Sequence, residues 1–289
     1  MSISTSRSRR GAIVLSTFSR DKELSACLEK IIEANKDFNL PLIVVHQLGY
    51  PKVGQVISDF RSNIDYCIEL NGENLSPLEN INRNRILSYQ LSFNWLQSDW
   101  VIAIEEDVLI AKDTVKFVNY VMEKYDGKIG FRGVNLGSRE LKTKENSETY
   151  SKLRFGINGQ ASAITRKTWN HFNQDRLISR SRTQPFDAQV ENFLKTGYMI
   201  TPNASRLLDT GWNGTHAPKD PNEEYYLQLR NSWVGMDELG IDGYTLNNTK
   251  HSWRGDIKIF RWFTSPWSYV RNLQIKTRIS RHLRPRMKT

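Results

Sequence analysis

Trp100-Val-Ile-Ala-Ile-Glu-Glu-Asp107 is the stretch on which the reading of this chain turns. Its first five residues form a short apolar run rich in β-branched and aromatic side chains, which predicts a buried strand. The run stops at three consecutive carboxylates. Crowding Glu105, Glu106 and Asp107 at the C-terminal end of a buried strand is costly unless a cation or solvent relieves them. A hard divalent cation, Mn²⁺ or Mg²⁺, takes oxygen ligands and keeps coordination places for water or phosphate. Asp107 is the candidate metal ligand, with Glu105 and Glu106 directed toward a bound donor and the metal's water. An acidic surface turn after a strand accounts for the same letters, and the triplet alone does not decide between the two.

The segments upstream place that strand in an α/β pattern. Gly11-Ala-Ile-Val-Leu-Ser-Thr17 predicts a first buried strand, and Asp21 to Asn35 repeats Leu24, Cys27, Leu28, Ile31 and Ile32 at helical spacing. Pro41 to Gln47 predicts a second strand, Lys52 to Phe60 a helix and Ile64 to Glu69 a third strand. After a loop carrying Asn71-Gly72 and Ser76-Pro77, Asn80 to Leu96 predicts a helix with Ile81, Ile86, Leu87, Leu91 and Leu96 on an apolar side. Downstream of the acids come a short strand, Val108 to Ile110, and a helix from Asp113 to Tyr125. This alternation predicts a mainly parallel sheet flanked by helices. The second half is less regular. Strands are expected at 129–133, 155–164 and 198–201, helices at 168–172 and 186–195, a polar loop at 138–150, and a glycine- and proline-bearing loop at 211–226.

The chain has 289 residues, 38% hydrophobic and 25% charged, which excludes global disorder and permits one large α/β domain. Two cysteines, Cys27 and Cys67, are too few for a disulfide scaffold or a cysteine-built zinc site, so a cytoplasmic setting is the default expectation. No run is apolar for long enough to span a bilayer. The net charge of +10 is unevenly placed: residues 250–289 carry 11 Lys or Arg against the single acid Asp256, while 1–249 are balanced. The expected organisation is a basic tail at 1–10, one domain at 11–249 and a basic, aromatic extension at 250–289. The extension fits an anionic membrane surface at the cytoplasmic face, a solubilising terminus or, less well, an RNA-contacting arm. The neutral body and the lack of an RNA-binding motif argue against nucleic acid.

With these residues on the page, the chain resembles the nucleotide-sugar glycosyltransferases of the GT-A fold, and among them most the family of N-acetylglucosaminyltransferase I. That family carries Glu-Asp-Asp in a strand-acid-apolar-helix setting, which Glu105-Glu106-Asp107 follows with Glu at the middle place. The resemblance spans about residues 11–220 and lies in the ordered set of motifs. It implies a nucleotide-sugar donor, UDP-GlcNAc or a related UDP-sugar, and a glycan or lipid-linked glycan acceptor. It gives Asp107 the metal role and leaves the sugar contacts of Glu106 open.

In the same family-based reading, Ser16-Thr-Phe-Ser-Arg20 is the nucleotide-binding start, with Arg20 reaching diphosphate or ribose. His46-Gln47 ends the second strand where such folds contact the base, although His46 also reads as an ordinary strand-end histidine. A basic side chain from the helix before the acids reaches the donor. Arg83 and Arg85 are two apart on that helix and cannot face the same way, so one of them is expected to serve. Asp187, in Pro185-Phe-Asp-Ala-Gln189, matches the family's general base, an inverting role; a first-turn helix acid explains it equally well. Gly211-Trp-Asn-Gly-Thr-His216 resembles the segment ending the catalytic core, with His216 as a phosphate contact or further metal ligand. Asp209 just before it reads as another cation or acceptor contact, with a solvated loop acid the favoured account. Other classes carried alongside are a nucleotidyltransferase of sugar metabolism and a non-catalytic membrane-associated binding protein with a degenerate site.

Overall fold

A computed structural model describes residues 10–71, 75–137, 149–154, 157–211 and 244–246. The chain divides into Met1–Asn247 and Asn248–Thr289, and the second unit lies outside the described residues. So do the tail expected at 1–9, His216 and nearly all of the loop expected at 211–226.

The first half follows the sequence closely. Strand β1 (Gly11–Thr17) leads into helix α1 (Asp21–Asn35), then β2 (Leu42–Gln47), α2 (Pro51–Asp59) and β3 (Tyr66–Leu70). Helix α3 (Pro77–Gln90) returns the chain to β4 (Trp100–Glu105). A short β5 (Val108–Ile110) and helix α4 (Thr114–Tyr125) follow. The second half contains β6 (Phe131–Asn135), β7 (Thr149–Leu153), β8 (Ala161–Thr165), α5 (Arg166–Trp169), α6 (Gln174–Arg180), α7 (Phe186–Leu194), β9 (Tyr198–Pro202), β10 (Leu207–Asp209) and β11 (Thr245–Leu246).

Nine of these strands form one sheet in the order β11-β7-β9-β6-β8-β4-β1-β2-β3. The block β3-β2-β1-β4 is parallel throughout, β8 is antiparallel to both β4 and β6, and β9 is parallel to β6. The sheet is therefore mixed, with the parallel strands in the majority. Alternate residues of the central strands serve two cores. Ile13, Leu15, Val44, Ile102 and Ile104 pack under α1, α2 and α4. Val14, Ile43, Val45, Val101 and Ala103 pack against α3, Trp169, Phe186 and Val190 on the other face. The result is a three-layer α/β/α domain.

Several expectations are corrected. The strand expected over 155–164 is confined, among the described residues, to Ala161–Thr165: the Asn158 side-chain oxygen accepts the Gln160 N–H (2.9 Å), a local turn that competes with strand pairing. The expected loop at 138–150 ends earlier, because Thr149 already opens β7. Helix α3 begins at Pro77 rather than Asn80, capped by Ser76, whose side chain accepts the Glu79 N–H (3.2 Å). Its buried face is also polar: Glu79, Asn82, Asn84, Arg85 and Ser88 are buried, whereas Ile81 and Leu87 are only half-buried. The reason is that α3 carries the connections. Asn82 donates to the Ser181 and Gln184 carbonyls (2.7 and 2.9 Å) and accepts the Phe186 N–H (2.9 Å), so it fixes the approach to α7.

Candidate functional site

The parallel block sets the place. From β1 the chain winds outward to β2 and β3, then returns through α3 to β4 on the other side of β1. Such a reversal leaves a crevice beyond the carboxyl ends of β1 and β4, where open α/β sheets bind ligands. Ser16 pairs in register with Glu105 at that point. The β1–α1 turn and the acidic triplet therefore face each other across the crevice.

The three acids do different things. Glu106 is buried and turns inward, where its carboxylate accepts the backbone N–H groups of Phe18, Ser19 and Arg20 (2.7, 3.1 and 3.4 Å). No side chain caps α1, and Glu106 instead fixes the turn that leads into it, placing a negative charge near the helix N-terminus. This redirects the expectation that Glu106 faces the donor: its oxygens are engaged in shaping the turn that carries Arg20. Asp107 is ion-paired with the Arg20 guanidinium, and its carbonyl accepts the N–H and hydroxyl of Thr210 (both 2.8 Å). Glu105 is bonded by Arg85 (3.0 Å), which also donates to the Gly159 carbonyl (2.6 Å). Of the two arginines on α3, Arg85 faces the site, while Arg83 turns away onto Glu79 (2.8 Å).

Asp187 and Asp209 complete the ring. A Cβ placed on Gly159 would lie 3.6 Å from the Asp187 carboxyl, so Asp187 stands beside the Arg85–Gly159 contact. Its Oδ1 also accepts the Ala188 N–H (2.9 Å), in keeping with a first-turn helix acid. Asp209 lies on β10, which pairs antiparallel with β5 and so brings it beside Asp107. It accepts from the Gln160 amide and from the Gly211 N–H (2.7 Å). The β10 strand is held from beneath by a buried clasp in which Arg206 donates to both oxygens of Asp113 (3.3 and 2.9 Å) and the Tyr244 hydroxyl adds a third bond (3.2 Å). Asp209, for which the sequence favours a solvated loop acid over a cation or acceptor contact, is placed by β10 beside Asp107. The signal present was the Leu207-Leu208 pair before it, an apolar run ending in an acid like that before Glu105.

Two carboxyls register the crowding. Burial pushes Asp107 up to about 6, with Arg20 opposing and Asp209 and Glu106 adding. Burial likewise raises Glu105 to about 7, with Arg85 opposing and Asp107 and Asp187 adding. Gly211 closes over the Arg20–Asp107 pair; a Cβ there would fall 2.0 Å from Asp107 Oδ2 and 2.2 Å from Arg20 Nη1. At the ends of β1 and β2, the Ser16 and Thr17 hydroxyls, His46 Nδ1 and Gln47 Oε1 are buried without a hydrogen-bond partner. His46 Nε2 meets Glu69 (3.3 Å), the strand-end role weighed from sequence. Unpaired buried polar atoms at a crevice fit a ligand that supplies the missing bonds. Carboxylate oxygens likewise fit a hard cation, with Asp107 and Asp209 the side chains that could hold it. Among the described residues no three acids, histidines or cysteines are already drawn together as a metal cluster.

No family model matches this chain, and no curated protein matches it. It is similar to several solved structures. One is the mannosyltransferase PcManGT from Pyrobaculum calidifontis in complex with GDP-Man and Mn²⁺, at 14% identity and TM-score 0.48 over 80% of this chain; the match spans 64% of the mannosyltransferase. Another is TarS residues 1–349 of S. aureus, at 11% identity and TM-score 0.44 over 81% of this chain and 67% of that one. An active-site mutant of LgtC gives 13% identity and TM-score 0.41 over 84% of this chain and 99% of that one. All three scores lie below 0.5. What the fold and site define by themselves is a three-layer α/β domain with a carboxylate-ringed crevice at the carboxyl ends of its parallel strands.

Proposed function

We propose that the chain is a nucleotide-sugar glycosyltransferase of GT-A type, working by inversion with Mn²⁺ or Mg²⁺. The observation that carries the reading is the gathering of Glu105, Asp107, Asp187 and Asp209 around Arg20 and Arg85 at the β1/β4 crevice. Asp107 and Asp209 would hold the cation. When bound, it neutralises charge that develops on a departing nucleoside diphosphate. Ser16, Thr17 and Gln47 offer unpaired polar atoms to the nucleotide, and Arg20, released from Asp107, turns to the diphosphate. Arg85 keeps Glu105 oriented toward the sugar. Asp187 takes the proton from the acceptor hydroxyl as its oxygen attacks the anomeric carbon and the bond to the diphosphate oxygen breaks. UDP-GlcNAc or a related UDP-sugar as donor, and a glycan or lipid-linked glycan as acceptor, follow from the family resemblance. His216 stays a proposed phosphate or metal contact.

The test is a panel of nucleotide sugars with and without Mn²⁺, followed by release of nucleoside diphosphate. Release from one donor that depends on Mn²⁺ and is lost in Asp107→Asn supports the reading. Binding of nucleotides without any turnover, equal in Asp187→Asn, favours a non-catalytic binding protein instead.

A further inference from the structure

The turn between α4 and β6, far from the acids, has a composition that the crevice does not use. Ile129 is 97% exposed at its tip, the most exposed of the large apolar side chains among the described residues. Gly127 and Gly130 flank it at φ +85° and +81°, left-handed conformations that fix a tight turn and hold Ile129 outward. Three lysines converge beside it. The ammonium groups of Lys124, Lys128 and Lys152 stand 5.9, 4.8 and 5.0 Å from the centroid of the Tyr125 ring. Lys152 is also 5.2 Å from Tyr198, and Lys124 bonds the Tyr120 hydroxyl (2.6 Å). The lysine ion pairs among the described residues involve Lys30, Lys112 and Lys195, not these three. The acids on the same helix end are engaged locally: Glu123 accepts from Asn119 (2.9 Å) and Asp126 from the Gly127 N–H (2.9 Å).

Among the described residues no carboxylate is ion-paired with these three cations, and their mutual repulsion is a cost that an external anionic surface removes. An isolated exposed isoleucine needs no explanation. One held outward on a glycine-framed tip, with lysines and tyrosines around it, combines a group for the acyl boundary with charges for the headgroups. We propose that this turn docks the domain on an anionic phospholipid bilayer, with Ile129 inserted and Lys124, Lys128 and Lys152 on the headgroups. The inference does not depend on the proposed transferase activity. Strand β6 runs in the same direction as β4, so the turn lies at the opposite end of the sheet from the acids. A strand of this length rises about 17 Å, so the crevice opens away from the lipid.

The experiment measures binding of the full chain to phosphatidylcholine vesicles with and without phosphatidylglycerol, using co-sedimentation. Each lysine near an anionic surface contributes about five-fold to binding, so replacing all three by Gln lowers it by about a hundredfold, with the 250–289 segment left intact. Ile129→Ser lowers it several-fold with unchanged melting. A second readout uses Ile129→Cys in a Cys67→Ser background, labelled with an NBD fluorophore, whose emission shifts to the blue and brightens on phosphatidylglycerol vesicles. Failure of the parent chain to bind such vesicles overturns the proposal. So does equal binding by the triple variant, or an NBD emission that stays at its aqueous value while the chain is bound.

Discussion

Asp107 makes the sharpest quantitative prediction. Its carboxyl is raised from 3.8 to about 6, chiefly by burial. That displacement corresponds to about 3 kcal/mol, and the side chain is only 17% exposed, so little is lost to solvent screening. Between pH 4 and pH 6 the folded carboxyl keeps a proton that the unfolded one has lost. The folded state therefore binds more protons, and stability falls as pH rises through this window before levelling. Asp107→Asn stays neutral throughout and lacks this dependence, at the cost of leaving Arg20 without its counter-ion. The measurement is a series of thermal melts of parent and Asp107→Asn from pH 4.5 to 7.5 at low salt without divalent cations. The gap between the two melting temperatures should change in favour of the variant by several degrees across the series, given about 2–4 °C per kcal/mol for a domain of this size. A gap that does not vary with pH refutes the claim that Asp107 is buried in surplus negative charge.

Mn²⁺ should raise the melting temperature of the parent more at pH 7.5 than at pH 5, because protons compete for the same oxygens, and a titration of Asp107→Asn should show the rise abolished. Glu106→Gln replaces an acceptor of three N–H bonds by a group that presents a donor to them. It should destabilise by about 1–3 kcal/mol and weaken nucleotide binding measured by calorimetry, while the Asp107-dependent pH trend persists. Gly211→Ala forces the Arg20–Asp107 pair apart and should reduce Mn²⁺ binding, read by the same melts, with a fold intact by circular dichroism. Arg206→Met leaves Asp113 buried and unpaired; chemical denaturation should find a loss of about 3–5 kcal/mol.

The first half of the domain is legible in the sequence because β1, β2 and β4 are buried on both faces and read as unbroken apolar runs. Its helices α1, α2 and α4 cover them with one apolar stripe each. Helix α3 departs from that rule in part: Ile86 and Tyr89 are buried in the core as an apolar stripe requires, but Asn82 and Arg85 share its interior through their hydrogen bonds. The crevice was legible in part. The strand-end acids, Arg20 and Asp187 stand out because each sits at a junction between elements, whereas the sequence offers Arg83 and Arg85 on α3 without choosing between them. The inward turn of Glu106 does not stand out, because it depends on the β1–α1 backbone from 86 to 88 residues away presenting three N–H groups. The place of Asp209 beside Asp107 is not legible for a similar reason: a three-residue strand gains its meaning only from pairing with β5. His216, expected at phosphate or metal, and the basic extension, expected at an anionic membrane surface, fall outside the described residues.

The reversed strand β8 also orders events in time. Strands β1 to β4 and their helices are contiguous in sequence and bury one another, so they can assemble while the rest of the chain is still being synthesised. Their exposed edge at β4 must wait for β8, some sixty residues later, and β10 must then reach back to β5. Glu105, Glu106, Asp107, Arg20 and Arg85 therefore meet early, whereas Asp187 and Asp209 arrive last. A nascent chain would thus carry the Arg20–Asp107 and Arg85–Glu105 pairs before it acquires Asp187, the proposed proton acceptor.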